Sequence, residues 1–237
     1  MEYDNLFHVH TKRCGHASNE TDTDYIRTAL ELNAKSIYFT EHAPFPEDVF
    51  GNRMKMAELG EYINTLAELK KRYNHEIEIK VGFEIEYLPK YKQYYCWLKE
   101  NYGIDLFLGQ HICTYNGNYN FAYKDKSKEY EWLAESILEG LDTGFFSALL
   151  HPERIYKNSQ SWGEQQILAA KAIWKTTKDK NIPIEYNYFS AVNPKIKYWH
   201  SNFWAYKAHD NIIYGLDAHS TKDLRMGTDF FRVVSEA

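Results

Sequence analysis

Short β-rich runs alternate with longer amphipathic runs along the whole chain, and this alternation constrains the fold more than any other feature. No Pro/Gly-rich linker, repeat or low-complexity tract interrupts it, so we predict a single domain over residues 1–237. Strands that are separated by helices pair in parallel through right-handed crossovers. The pattern therefore predicts an α/β fold, either a closed barrel or a doubly wound open sheet.

Seven strand–helix repeats follow from this pattern. The predicted strands span residues 4–10, 36–40, 77–85, 104–108, 145–150, 182–188 and 211–216. The predicted helices span residues 21–32, 56–69, 89–102, 127–141, 161–180 and 199–208, and a last helix follows residue 223. Ser161 and Glu164 have the spacing of a capping box, which predicts that the fifth helix opens at Ser161.

Composition and charge exclude several classes of protein. With 28 Lys and Arg against 33 Asp and Glu, the net charge of −5 disfavours a broad basic surface for nucleic acid. The aromatic content of 16% and the hydrophobic content of 44% together exclude the low-hydrophobicity composition of a disordered chain. The sequence contains no run of about 18 apolar residues, which is the length that a membrane span requires. The first four residues do not resemble a signal peptide. We therefore expect a cytoplasmic protein, with Cys14, Cys96 and Cys113 as reduced thiols.

Seven of the ten histidines lie at or just beyond the C-terminal ends of predicted strands, together with two carboxylates. In α/β barrels the active site forms at that end from several different strands, so these positions favour the barrel over the open sheet. They predict one polynuclear metal site that contains His8, His10, His16, His42, Glu84, His111, His151, Asp217 and His219.

Two of the predicted strands carry ligands in pairs. His8 and His10 are separated by one residue, and side chains so spaced on a strand point the same way; Asp217 and His219 repeat the arrangement. Carboxylates can bridge ions, whereas imidazole suits Zn²⁺, Mn²⁺ or iron. The mixture predicts two or three divalent transition-metal ions that activate water for hydrolysis of a phosphate ester.

The order and spacing of these residues resemble the polymerase and histidinol phosphatase (PHP) superfamily over residues 8–219. The motifs that carry the resemblance are His8-Val9-His10, His16, Glu41-His42, Gly82-Phe83-Glu84, Gln110-His111, His151-Pro152 and Gly215-Leu216-Asp217-Ala218-His219. Within the superfamily, the chain is most similar to the histidinol-phosphate phosphatases of histidine biosynthesis. The resemblance implies a distorted seven-stranded TIM-like barrel, (β/α)7, with the metal site at the C-terminal ends of the strands.

The resemblance also implies how the ligands are shared among three ions. One ion is held by His8, His10, Glu84 and Asp217. A second is held by the bridging Glu84 with His111 and His151, and a third by His16, His42 and His219.

Substrate-binding candidates follow from charge and position. Arg154, three residues after His151, is predicted to bind the substrate phosphate through bidentate hydrogen bonds. Arg13 and Arg53 are further candidates for binding phosphate. Glu86 alternates with Glu84 and is predicted to bind a substrate ammonium or to support a ligating histidine. Glu185 and Asn187 on the sixth strand are interpreted as inward-facing supporting groups.

These observations together predict a metal-dependent phosphomonoesterase. A metal-bound hydroxide would hydrolyse a small phosphorylated metabolite, with Arg154 binding substrate and Asp217 also accepting or relaying a proton. The resemblance implies that this metabolite is L-histidinol phosphate, which would be converted to L-histidinol and phosphate. The alternatives are a PHP-type nuclease, a nucleotide phosphoesterase or a protein-tyrosine phosphatase. An amidohydrolase-like metal hydrolase ranks third, and a non-catalytic metal-binding interaction module ranks last.

Overall fold

The computed structural model describes residues 3–112 and 126–236. Its seven strands follow one another in chain order around a closed barrel. The strand pairings that the structure describes are parallel. The strands are Asn5–Val9 (β1), Ser36–His42 (β2), Glu78–Ile85 (β3), Asp105–Leu108 (β4), Phe146–Leu149 (β5), Ile184–Asn187 (β6) and Ile212–Ala218 (β7). The predicted (β/α)7 TIM-like barrel is confirmed.

Helices follow each of the strands. They are Asp22–Glu31 (α1), Leu59–Arg72 (α2), Lys92–Tyr102 (α3), Glu129–Asp142 (α4), Glu164–Asp179 (α5), Tyr188–Val192 (α6), Lys197–Trp204 (α7) and Thr221–Glu236 (α8). Among the described residues, no helix combines the length and the apolar character needed to cross a bilayer.

The chain divides into two compact units. The first unit contains residues 1–84 and 214–237, and therefore β1, β2 and most of β3 and β7. The second contains residues 85–213, with β4, β5 and β6. The single domain over residues 1–237 stays a prediction.

In the first unit, β2 and β3 pair in continuous register from Ser36 opposite Glu78 to His42 opposite Glu84. This register brings the C-terminal ends of both strands, and their polar side chains, to the same level. The core beneath them consists of fully buried apolar side chains from strands and helices, including Leu6, Ile26, Ile37, Phe39, Tyr62, Leu66 and Phe83.

The end of β1 departs from regular strand geometry. Its pairing register shifts between Phe7 and Val9 against both β2 and β7, and His8 between them has φ 71°. On β7, Asp217 has φ 52°. Such left-handed backbone is uncommon for residues other than glycine, and bulges next to active sites bend a strand and redirect side chains. The bulge at His8 and the left-handed backbone at Asp217 therefore set the directions of two predicted metal ligands.

The second unit contains two short helices that the sequence pattern did not predict. A 3₁₀ helix, Pro152–Tyr156, follows β5 directly, and α6 follows β6 without a loop. Asn187 caps α6, because its side-chain oxygen accepts a hydrogen bond from the backbone N–H of Ser190 at 2.9 Å.

The predicted start of the fifth helix is wrong. Helix α5 begins at Glu164 rather than Ser161, and Gly163 is its N-cap, with the Gly163 N–H donating to the side chain of Gln166. Trp162 packs edge-on against Tyr156, with ring centroids 4.8 Å apart. Because this aromatic contact anchors the segment before Gly163, tertiary packing overrides the local capping pattern.

Candidate metal centre

Four buried side chains of the first unit meet where β1, β3 and β7 end. Each offers a ligand atom, and these atoms lie within 4.8 Å of one another. The Nε2 atom of His8 lies 3.0 Å from Nε2 of His10 and 3.0 Å from Oε2 of Glu84. Oδ1 of Asp217 lies 3.3 Å from Nε2 of His10. Two imidazoles and two carboxylates converging away from water are a donor set suited to a divalent transition-metal ion.

The convergence of His8 and His10 has a different cause from the one that the sequence suggested. Regular alternation along a strand does not describe this pair, because His8 occupies the bulge of β1 and His10 lies just beyond the strand. The backbone N–H of His10 donates to the carbonyl of Ala218 at 2.9 Å, which continues the contact with β7. The two imidazoles are thus aimed by a bend in the backbone.

The field around His10 favours a positive charge. Burial disfavours the charged imidazole, but hydrogen bonding and attraction to Asp217, Glu41 and Glu84 raise the pKa of His10 well above its ordinary value. A buried site at which carboxylates hold a proton this firmly can exchange the proton for a metal cation. The residues present therefore fit a metal ion.

Three further histidines of the first unit extend this group. The ring centroid of His219 lies 4.4 Å from that of His10 and 4.6 Å from that of His16. The rings of His16 and His42 are 5.4 Å apart, and Nδ1 of His42 lies 3.4 Å from Oε2 of Glu84. The structure thus brings seven of the nine predicted ligands together within one compact unit.

His219 is oriented with one ring nitrogen toward this group. Its Nδ1 lies 3.0 Å from the carbonyl oxygen of Asp217, and its Nε2 is buried without a hydrogen-bond partner. Burial, with a smaller effect of the charge on His10, lowers the pKa of His219 to about 4. A neutral imidazole is the form that binds a metal ion.

The buried thiol of Cys14 lies near His16 and His219, and burial raises its pKa to about 11.

The remaining two predicted ligands lie in the second unit. The rings of His111 and His151 have centroids 4.8 Å apart. The backbone of His151 is also left-handed, with φ 27°, and its N–H donates to Oε2 of buried Glu185 at 3.0 Å. Glu185 thus holds the backbone of a predicted ligand, consistent with its interpretation as an inward supporting group.

Arg154, also in the second unit, is held by the end of β6 and by α6. Its Nε donates to the hydroxyl of Ser190 at 3.0 Å, and its Nη2 donates to the side-chain oxygen of Asn187 at 3.0 Å. The guanidinium lies 5.2 Å from the ring centroid of Phe189, which is 43% exposed. The side chain is half-buried and fixed in orientation.

Arg13 has a different environment. All five of its N–H donors are used: two bond both carboxylate oxygens of Asp22, two bond Glu61, and one bonds the hydroxyl of Thr11. In this arrangement the guanidinium offers no donor to a phosphate. The contacts favour a structural ion pair over the predicted substrate contact.

Arg53 and Glu86 are both buried. Arg53 donates to the carbonyl of Ala43 at 3.2 Å, and its guanidinium lies 5.3 and 5.4 Å from the ring centroids of Phe45 and Phe50. Their predicted roles in substrate binding stay predictions.

Two buried carboxylates were not identified individually as functional residues from the sequence. Glu41, fully buried at the end of β2, appeared there only as part of a motif. Its position just after the end of a predicted strand, directly before the predicted ligand His42, is the signal that could have marked it. Glu153 is also fully buried, and burial raises its pKa to about 7.

Comparison with known proteins places this chain in a family. The PHP domain matches residues 7–188, so the chain belongs to the PHP domain family. It is 28% identical over 164 residues to the histidinol-phosphatase of Bacillus subtilis (strain 168), an alignment that covers 63% of this chain and 61% of that relative. The chain thus spans about three fifths of the length of this curated relative.

Two solved structures share the fold. A candidate histidinol phosphatase from Listeria monocytogenes has a TM-score of 0.74 at 20% identity, covering 96% of this chain and 99% of that chain. Histidinol phosphate phosphatase from Lactococcus lactis subsp. lactis, complexed with zinc, L-histidinol and phosphate, has a TM-score of 0.74 at 17% identity, covering 98% and 92%.

Proposed function

We propose that this protein is a metal-dependent phosphomonoesterase that hydrolyses L-histidinol phosphate to L-histidinol and phosphate. The observation that carries the proposal is the buried group of His8, His10, Glu84 and Asp217 in a chain of the PHP domain family. The Bacillus subtilis relative is a histidinol-phosphatase, and the Lactococcus lactis structure contains L-histidinol and phosphate. Both support this substrate.

The proposed ligand sets follow the PHP resemblance. His8, His10, Glu84 and Asp217 would hold one ion, Glu84 with His111 and His151 a second, and His16, His42 and His219 a third. Bound divalent ions, zinc, manganese or iron, supply an acidified water nucleophile and neutralise charge on the phosphate. Zinc is the metal found in the Lactococcus lactis relative.

The remaining roles belong to side chains around the ligands. Arg154 would bind the phosphate oxygens, oriented by Asn187 and Ser190. Asp217, besides binding metal, would accept or relay the proton of the attacking water. Glu86 is the proposed partner of the substrate ammonium. A cytoplasmic location stays a prediction.

A substrate panel tests the proposal. The protein is reconstituted anaerobically with Zn²⁺, Mn²⁺ or Fe²⁺ and assayed for phosphate release from L-histidinol phosphate, p-nitrophenyl phosphate, a phosphotyrosine peptide and a nucleoside monophosphate. We expect the highest kcat/KM with L-histidinol phosphate, and loss of that activity after chelation. A higher kcat/KM with the peptide or the nucleotide, or activity that survives chelation, would reject the proposed function.

A further inference from the structure

Glu41 lies fully buried behind the proposed ligands and is held firmly in place. Its Oε2 accepts hydrogen bonds from the backbone N–H of Thr11 at 2.8 Å and from the Thr11 hydroxyl at 2.5 Å. Its Oε1 accepts the backbone N–H of His42 at 3.0 Å. Three donors on two segments therefore fix both oxygens of this carboxylate.

The imidazole of His10 lies between Glu41 and the ligand group. Its Nδ1 lies 3.5 Å from Oε1 of Glu41. Its other ring nitrogen, Nε2, lies 3.2 Å from Oε2 of Glu84 and 3.3 Å from Oδ1 of Asp217. One nitrogen thus faces a carboxylate outside the ligand set, and the other faces the ligands.

The surroundings of Glu41 suit a carboxylate anion, because an ionised carboxylate only accepts hydrogen bonds and both of its oxygens accept donors from Thr11 and His42. A buried carboxylate anion beside Nδ1 favours the tautomer that carries the proton on Nδ1. In that tautomer the lone pair of Nε2 points toward Glu84 and Asp217.

We propose that Glu41 is a positioning residue for His10, fixing the Nδ1–H tautomer so that Nε2 binds the metal ion. The inference rests on the proposed metal centre. A carboxylate behind a ligating histidine orients the ring and raises its basicity, and loss of such a partner typically costs about 10- to 100-fold in metal affinity.

The first test compares the zinc affinity of the wild-type chain with that of Glu41→Gln by competition with a chromophoric chelator. Gln keeps the size and an oxygen acceptor but removes the charge, so we expect zinc binding to weaken by about 10- to 100-fold. Asp22→Asn is the matched control: this buried carboxylate of the same unit pairs with Arg13. We expect its zinc affinity to be unchanged.

A second measurement needs no variant and separates positioning from a purely structural role. Long-range ¹H–¹⁵N spectra of the zinc-loaded wild-type chain, labelled at histidine, should show His10 protonated at Nδ1 and bound through Nε2. Binding of His10 through Nδ1, or equal zinc affinity of Glu41→Gln and wild type, would overturn the inference alone. A wild-type chain that binds no zinc would overturn both this inference and the proposed function.

Discussion

The two compact units organise their polar residues differently. In the first unit, seven predicted ligands lie close together at or just beyond strand ends. Two of them, His8 and Asp217, have left-handed backbone. In the second, Arg154 is held by the hydrogen bonds that it donates to Asn187 at the end of β6 and to Ser190 in α6. The ligand group depends on where the backbone points its side chains, whereas the arginine site depends on how neighbouring side chains hold one long cation.

This difference has an energetic consequence. Left-handed backbone at residues other than glycine costs on the order of 1–3 kcal/mol for each residue, and such strain clusters at functional sites. The first unit contains two such ligands, His8 and Asp217, and the second unit contains one, His151. In the first unit, burial of the neighbouring carboxylates of Glu84 and Asp217 is a further cost. A bound divalent cation would offset both costs, because ligands that bind only the folded state stabilise it.

The largest effect should come from Glu84→Gln, which removes the charge of the carboxylate that contacts His8, His10 and His42 in the first unit. We expect kcat/KM to fall by about 100-fold or more, with a parallel loss of bound metal, because the charge of the proposed bridging ligand is lost. Phosphate release and elemental analysis of the same samples measure the two quantities.

Glu78→Gln is the control for this substitution, since Glu78 is an exposed residue of the same strand. We expect it to behave as wild type. Full metal content with more than about a tenth of wild-type turnover in Glu84→Gln would show that Glu84 is not the bridge. Glu86 would then be tested instead.

A smaller effect is expected in the second unit. Arg154→Ala removes the proposed phosphate contact but no metal ligand, so kcat/KM should fall by about 10- to 150-fold, the equivalent of one charged hydrogen-bonding contact. Metal content should not change. Arg154→Lys should recover only part of the activity, because an ammonium cannot reproduce the bidentate geometry.

Arg13→Ala provides the contrast with Arg154→Ala. Because Asp22 and Glu61 use its donors, its loss should lower the melting temperature while kcat/KM of the folded protein stays within about threefold. If Arg154→Ala hydrolyses histidinol phosphate as well as wild type and Arg13→Ala does not, phosphate recognition belongs to the first unit.

A buried histidine of the second unit should make folding stability depend on pH. His200 in the second unit is buried, and burial, with a smaller effect of Arg154, lowers its pKa to about 4. The unfolded chain therefore binds the proton more tightly, so stability should fall as pH drops below about 6.5, by on the order of 2 kcal/mol at pH 5.

His200→Leu should remove this component, and exposed His75→Leu serves as the control that keeps it. Urea unfolding between about pH 5 and pH 7.5 measures the difference between each variant and wild type. An identical pH dependence in wild type and His200→Leu would show that His200 is not held neutral in the folded chain.

The periodicity of the sequence predicted the alternation of strands and helices, because each type of element buries its apolar residues at its own spacing. The choice of a barrel over an open sheet came from the ligand positions at strand ends and from the PHP resemblance. The sequence also predicted ligand positions at strand ends, since polar residues there interrupt apolar runs. It could not predict the left-handed backbone of His8, because no local pattern marks a bulge at a histidine.

The sequence also did not reveal which distant side chains pair with one another. Arg13 has the same charge as Arg154, and only the folded chain shows that Asp22 and Glu61 take up its donors. The role of Glu41 depends on Thr11, thirty positions away, and on the ring nitrogen of His10 that faces it. Such roles follow from tertiary contacts that residue type and spacing do not encode.

The measurement that tests the central claim most directly is the number of metal ions that one folded chain binds. After anaerobic reconstitution with Zn²⁺, Mn²⁺ or Fe²⁺ and removal of free metal, elemental analysis should give two to three ions per chain, since nine candidate ligands exceed the roughly four that one closed site needs. One ion or none with every metal would contradict the polynuclear centre.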